Sequence, residues 1–126
     1  MNPTNSMKPT NSTNPTNSCI FCRIARGEAD TEILHRTDDL VVFRDHRPQA
    51  PIHLLIVPAK HIRSINEIEP EDNPLLGEML QAARHMAVQM GIARDGYRLF
   101  FNVERGGGQV IFHLHMHLLA GRKPGG

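Results

Sequence analysis

Three histidines alternate with apolar residues near the C-terminal end, in the run Ile111-Phe112-His113-Leu114-His115-Met116-His117-Leu118-Leu119. Side chains alternate faces along a strand, so Phe112, Leu114, Met116 and Leu118 are expected in the core. His113, His115 and His117 are then expected together on the opposite face. Imidazole ionises at about pH 6.5, so it serves as nucleophile, acid, base or metal ligand near neutrality. Packing alone gives no reason for three imidazoles facing away from an unbroken apolar stripe. Just upstream, Gly106-Gly107-Gly108-Gln109 would let backbone N–H groups approach an anion closely, although three glycines also make an ordinary turn. The two features together predict a phosphate held beside the imidazoles. A histidine attacking phosphorus needs no metal when backbone donors and a second imidazole stabilise the charge. A second constellation, Cys19-x-x-Cys22, has zinc-ligand spacing and would need two more ligands; by itself it is also compatible with two free thiols on a short helix. A competing assignment makes the protein a zinc hydrolase, with His113 and His115 chelating a catalytic metal.

The elements that must position these groups follow from periodicity and punctuation. Residues 20–26 read as a short helix closed by Gly27, with Phe21 and Ile24 inward. Residues 33–36 and 40–44 read as paired strands around the turn Asp38-Asp39, and 53–57 as a third strand stopped by Pro58. A long helix is predicted over 74–90, capped by Asn73, opened by Pro74 and ended by Gly91. Its buried stripe would be Leu76, Met79, Leu80, Ala83, Met86, Ala87 and Met90. Two strands complete the chain, 97–102 and 111–120. The order predicts an α+β fold: a five-stranded, mainly antiparallel sheet with one short and one long helix. His35, His46 and His85 stand alone in sequence and are assigned no role.

The chain has 126 residues, enough for one domain, and 14 Lys+Arg against 13 Asp+Glu give a net charge of +1. That balance offers no electrostatic basis for nucleic-acid binding. No apolar run approaches the ~20 residues of a membrane span, and no signal peptide is recognisable. Two cysteines three positions apart suit a reducing compartment better than a disulfide framework, so a cytoplasmic protein is expected. Residues 1–18 are a Pro-Thr-Asn-Ser repeat with too few apolar side chains to bury, expected as a disordered tail before a domain at 19–126.

His113-Leu114-His115-Met116-His117-Leu118-Leu119 resembles the signature of the histidine triad (HIT) family. Phe43-Arg44-Asp45, the segment Pro48-Gln49-Ala50-Pro51-Ile52-His53, Pro58-Ala59-Lys60-His61, Asn102 and Gly107-Gly108-Gln109 resemble its histidine triad nucleotide-binding branch. The likeness covers about residues 19–122. It implies a nucleotidyl hydrolase acting on purine nucleoside phosphoramidates or related nucleoside monophosphate conjugates. In that reading His115 is the nucleophile, His117 and Asn102 contact the phosphate or leaving group, and His53 supports the triad. Asp45 would accept from ribose hydroxyls, Ile20, Phe21, Ile24, Phe43 and Leu55 would wall the base, and Gly108 and Gln109 would lie at the nucleotide. The resemblance further implies a structural zinc on Cys19, Cys22, His61 and His113, and a homodimer paired through the long helix and the strand after it. Diadenosine polyphosphate hydrolysis and a low-turnover nucleotide-binding scaffold are the alternatives. The chain departs from the branch at Val110, where many members carry Ser or Thr. A missing hydroxyl there predicts slower turnover, or a preference for leaving groups that need no donor.

Overall fold

The computed structural model describes residues 19–121, so the expected tail at 1–18 and the last five residues lie outside the described residues. Five strands are present: β1 (His35–Arg36), β2 (Leu40–Arg44), β3 (Ile52–Pro58), β4 (Arg98–Phe100) and β5 (Met116–Ala120). They form one antiparallel sheet in the order β1-β2-β3-β5-β4. Helix α1 is Ile20–Ala25 and helix α2 is Asn73–Gln89. The α+β class and the one-short, one-long helix pair are as expected. No helix among the described residues is long and apolar enough to cross a membrane.

Register sorts the sheet into two faces. Leu40, Val42, Leu54, Ile56, Met116 and Leu118 share one face and pack under Met79, Ala82, Ala83, Met86 and Ala87 of α2. Val41, Phe43, Leu55 and Val57 share the other, beneath Phe21, Ile24 and Ala25 of α1. Because helices cover both faces, β2, β3 and β5 are apolar at nearly every position rather than at alternate ones. The short helix covers only part of its face, and His117, opposite Leu55 and Phe100, occupies the remainder.

Several boundaries differ from expectation. The long helix begins at Asn73, which is therefore its first residue and not its cap. A 3₁₀ turn, Pro70–Asp72, leads into it, and the Asp72 carboxylate accepts from the Glu69 N–H at 2.8 Å and from Lys60 Nζ at 2.6 Å. Leu80, expected in the buried stripe, is 54% exposed; the sheet covers a narrower arc of α2, and Ala82 takes the inner place. The strand expected over 97–102 is only Arg98–Phe100, and that over 33–36 only His35–Arg36. The last strand starts at Met116, five residues late. Leu114 N–H donates to the Ile62 carbonyl at 2.6 Å instead of joining the ladder, beside the point where β3 ends at Pro58. Alternation nevertheless continues upstream through Leu114, whereas Phe112 leaves the core and lies half-buried under the Arg63 guanidinium, 4.3 Å from its centroid.

Candidate active site

The uncovered part of the sheet forms a pocket of about 450 Å³ between α1, the end of β2, the start of β5 and the glycine loop. Ile20, Phe21, Ile24, Phe43 and Leu55 make its apolar wall, and Asp45, Asn102, Gly108, His115 and His117 supply its polar groups. Phe21 meets Phe43 edge-on at 5.6 Å and the His115 ring edge-on at 5.1 Å, so the wall also holds the histidine. An apolar slot ending in convergent polar groups suits a flat heterocycle carrying a phosphate.

Each triad imidazole has a different task in the packing. His115 Nδ1 lies 2.7 Å from the His113 carbonyl oxygen. A carbonyl only accepts, so Nδ1 carries the proton and Nε2 keeps the lone pair. The neighbouring chain starts from the loop after Asp45. The Gln49 N–H donates to His53 Nδ1 at 3.1 Å, so the proton of a neutral His53 is on Nε2. That nitrogen lies 2.9 Å from His117 Nδ1 and 3.4 Å from Asp45 Oδ2. His117 Nδ1 therefore accepts, and its own proton is on Nε2, which is buried and has no hydrogen-bond partner. A buried donor without a partner is costly unless a ligand completes it, and here it sits in a pocket-lining ring. Phe100 stacks on the back of that ring, 4.6 Å away and 10° from parallel. Burial pushes His117 down to about 4, helped by the nearby His115 and His53 rings. Burial also lowers His115 and His53, so the three imidazoles are neutral at pH 7.

His113 faces away from this chain. Its Nδ1 lies 3.2 Å from Cys19 Sγ and 3.4 Å from Cys22 Sγ, while His61 Nδ1 lies 3.2 Å from Cys22 Sγ. These four residues form a compact donor set able to hold a metal ion. A tetrahedral zinc with bonds of about 2.3 Å to sulfur and 2.0 Å to nitrogen sets such atoms about 3.5 Å apart, close to the distances observed. The rest of the geometry fits as well. His113 Nε2 donates to the Pro58 carbonyl at 2.7 Å, which turns Nδ1 toward the sulfurs, and the Cys22 N–H donates to Cys19 Sγ at the helix start. The Cys22 thiol, donating its S–H to Cys19 Sγ, holds the Cys19 thiol far below its usual range, and the same side-chain bond raises Cys22. His113 and His115 do not converge on one position, so a catalytic zinc shared between them has no geometry here. A second set within metal-binding reach, Asp45, His53 and His117, is the hydrogen-bonded chain already described.

Gln109, expected at the nucleotide, is placed elsewhere. It is 3% exposed, and its amide accepts from the Glu104 N–H and donates to the Arg63 and Ile111 carbonyls. Its side chain braces the glycine loop and does not line the pocket. Val110 is 82% exposed at the pocket rim, where it presents no hydroxyl. Sequence reasoning missed Gln49, whose backbone sets the His53 tautomer, and Phe100, which backs His117. The Pro-Gln-Ala-Pro segment was a signal for the first; nothing in the residue pattern marked the second. Glu104 was also missed, with φ 61° and ψ 177°. That region is essentially glycine's and costs another residue about 1–3 kcal/mol.

An antiparallel α+β fold that lines one pocket with an imidazole whose Nε2 keeps its lone pair and a second imidazole whose buried N–H has no partner has the parts of a phosphoryl-handling histidine enzyme. Over residues 18–126 the chain matches the family described as "Scavenger mRNA decapping enzyme C-term binding". It is 46% identical over 106 residues to a purine nucleoside phosphoramidase of Escherichia coli K12, covering 84% of this chain and 89% of that protein. A HIT family hydrolase from Legionella pneumophila is 46% identical with a TM-score of 0.82, over 86% of this chain and all of that one. A histidine triad protein from Clostridium difficile is 36% identical with a TM-score of 0.81, over 83% and 91%. The chain belongs to the histidine triad family and is one of its hydrolases.

Proposed function

We propose that the protein is a nucleotidyl hydrolase that cleaves purine nucleoside phosphoramidates, or related nucleoside monophosphate conjugates, through a covalent nucleotidyl-His115. The observation that carries this reading is the 2.7 Å contact from His115 Nδ1 to the His113 carbonyl, which leaves Nε2 as the lone-pair nitrogen of a pocket-lining ring. Nε2 attacks the α-phosphorus, and the bond from phosphorus to the leaving nitrogen or oxygen breaks with its electron pair. The imidazolium formed keeps its Nδ1–H on the carbonyl, a charge-assisted bond. Water then attacks phosphorus, the phosphorus–Nε2 pair returns to His115, and the nucleoside monophosphate departs. The Nε2–H of His117 donates to a phosphoryl oxygen. Because the Gln49 amide occupies His53 Nδ1, a neutral His117 gives a hydrogen bond and not a proton, so leaving-group protonation falls to water. Asp45 and Asn102 are assigned to the ribose and phosphate, and the five apolar wall residues to the base. The purine preference follows the name of the Escherichia coli relative.

Zinc is assigned to Cys19, Cys22, His61 and His113, where it would tie α1 to the sheet with no open coordination position. A homodimer is proposed through α2 and β4, whose Leu80, Val88 and Leu99 are exposed. The test of the function is a fluorogenic adenosine phosphoramidate assay. His115→Ala should lose on the order of 10⁴-fold in rate while retaining nucleotide affinity. Equally negligible rates for wild type and variant, with nucleotide still bound, would establish a binding module instead.

A further inference from the structure

Asn102, Gly108 and Val110 reach the pocket from one loop, and that loop is held by the single non-glycine residue with positive φ among the described residues, Glu104. We infer that Glu104 is a positioning residue: clasped by Arg63 and Ser64, it locks the Asn102–Gly108 edge in the conformation that receives the nucleotide. The inference rests on the nucleotide reading above. A side chain stays at φ 61° and ψ 177° only where its surroundings over-determine it, and here every polar group of Glu104 is engaged. Its carboxylate accepts from Arg63 Nη2 at 2.9 Å, from Arg63 Nε at 3.1 Å and from Ser64 Oγ at 2.6 Å. Ser64 is 1% exposed and its oxygen already accepts from the Asn66 N–H, so its one proton is directed to Glu104. The Glu104 N–H donates to Gln109 Oε1 at 2.7 Å, and its carbonyl accepts from the Gly107 and Gln109 amides at 3.0 Å each. Gln109 closes the circuit by donating to the Arg63 carbonyl at 2.8 Å. Both ends of the loop are thus pinned to residues 63–64, outside the pocket.

The clasp bears on the site through Gly108. This residue turns at φ 92° and backs onto Asn102, where an added Cβ would lie 3.9 Å from the amide carbon. Released from the clasp, the chain would relax first at its strained residue, and Asn102 and Gly108 would shift with it.

The test separates strain from support with E104A, E104G and E104Q in the full chain. It reads AMP affinity by calorimetry together with the thermal midpoint. E104A removes the clasp and leaves a side chain that disfavours this backbone conformation, so midpoint and affinity both fall. Glycine adopts this φ freely, so E104G should recover midpoint relative to E104A while AMP binding remains weaker than wild type on the order of tenfold. E104Q, which keeps an acceptor oxygen for Ser64, should restore part of the affinity. Wild-type affinity in E104G, or a midpoint change in E104A with affinity untouched, would overturn the inference and leave the nucleotide reading standing. Failure of the wild-type protein to bind AMP would overturn both.

Discussion

In His115 the Nδ1–H is committed to a carbonyl at 2.7 Å, and in His53 the Nδ1 lone pair is committed to the Gln49 amide at 3.1 Å. Two backbone groups therefore set which nitrogens of the site carry protons, and the chemistry follows from that assignment. His53 matters through His117: its Nε2–H keeps the His117 proton on Nε2. Replacing His53 by Ala frees His117 to take either tautomer. We expect kcat to fall on the order of 10²-fold or more with KM little changed, since tautomer errors act on the transition state. Steady-state kinetics check this, and an unaltered kcat would refute the tautomer argument. Gln109 teaches the opposite lesson. A polar residue beside a glycine run reads as a ligand, yet its amide is consumed in bracing the backbone.

Helix α1 carries Ile20, Phe21 and Ile24 to the pocket, but it has only six residues and depends on docking for its stability. Its apolar contacts with the sheet and the Cys19–Cys22–His61–His113 cluster fasten it. If zinc occupies that cluster, a strong chelator should lower the thermal midpoint by more than about 5 °C and raise KM, as the base wall loosens. Cys22→Ser should mimic the chelator and abolish its further effect. An unchanged midpoint in both experiments would mean that packing alone holds the helix. Elements of this kind were legible where local chemistry marks an end, as at Pro74 and at Gly91 with its φ of 75°. The start of β5 was not legible. Alternation continues through Leu114, but the ladder to β3 stops at Met116 opposite Ile56, and Leu114 gives its N–H to Ile62, a long-range bond that no local pattern marks. The histidine face was readable for the same reason: alternation survives where pairing does not. Leu80 was misplaced because helical periodicity shows which residues share a face but not how wide an arc the sheet covers.

At the scale of the whole molecule, folding buries three neutral imidazoles beneath a surface with nearly balanced charge. His117 and His53 both have lowered pKa values in the folded state, His117 at about 4. Between about pH 6.5 and pH 4 the unfolded chain therefore binds more protons than the folded one. Their contribution to stability is complete above about pH 6.5 and is lost as pH falls toward 4. Urea unfolding at pH 7, 5.5 and 4.5 should show this decline, with a shallower slope for His117→Asn. A stability that is flat or rises toward pH 4.5 would contradict the neutral assignment.

The claim that the rest depends on is a bond between phosphorus and Nε2 of residue 115. Rapid quenching of the enzyme during turnover of an adenosine phosphoramidate, followed by peptide mass spectrometry, tests it directly. An adenylyl adduct on the peptide carrying His115, absent from His115→Ala, is the predicted result. Turnover without any adduct, or with the adduct on another residue, would contradict the covalent route.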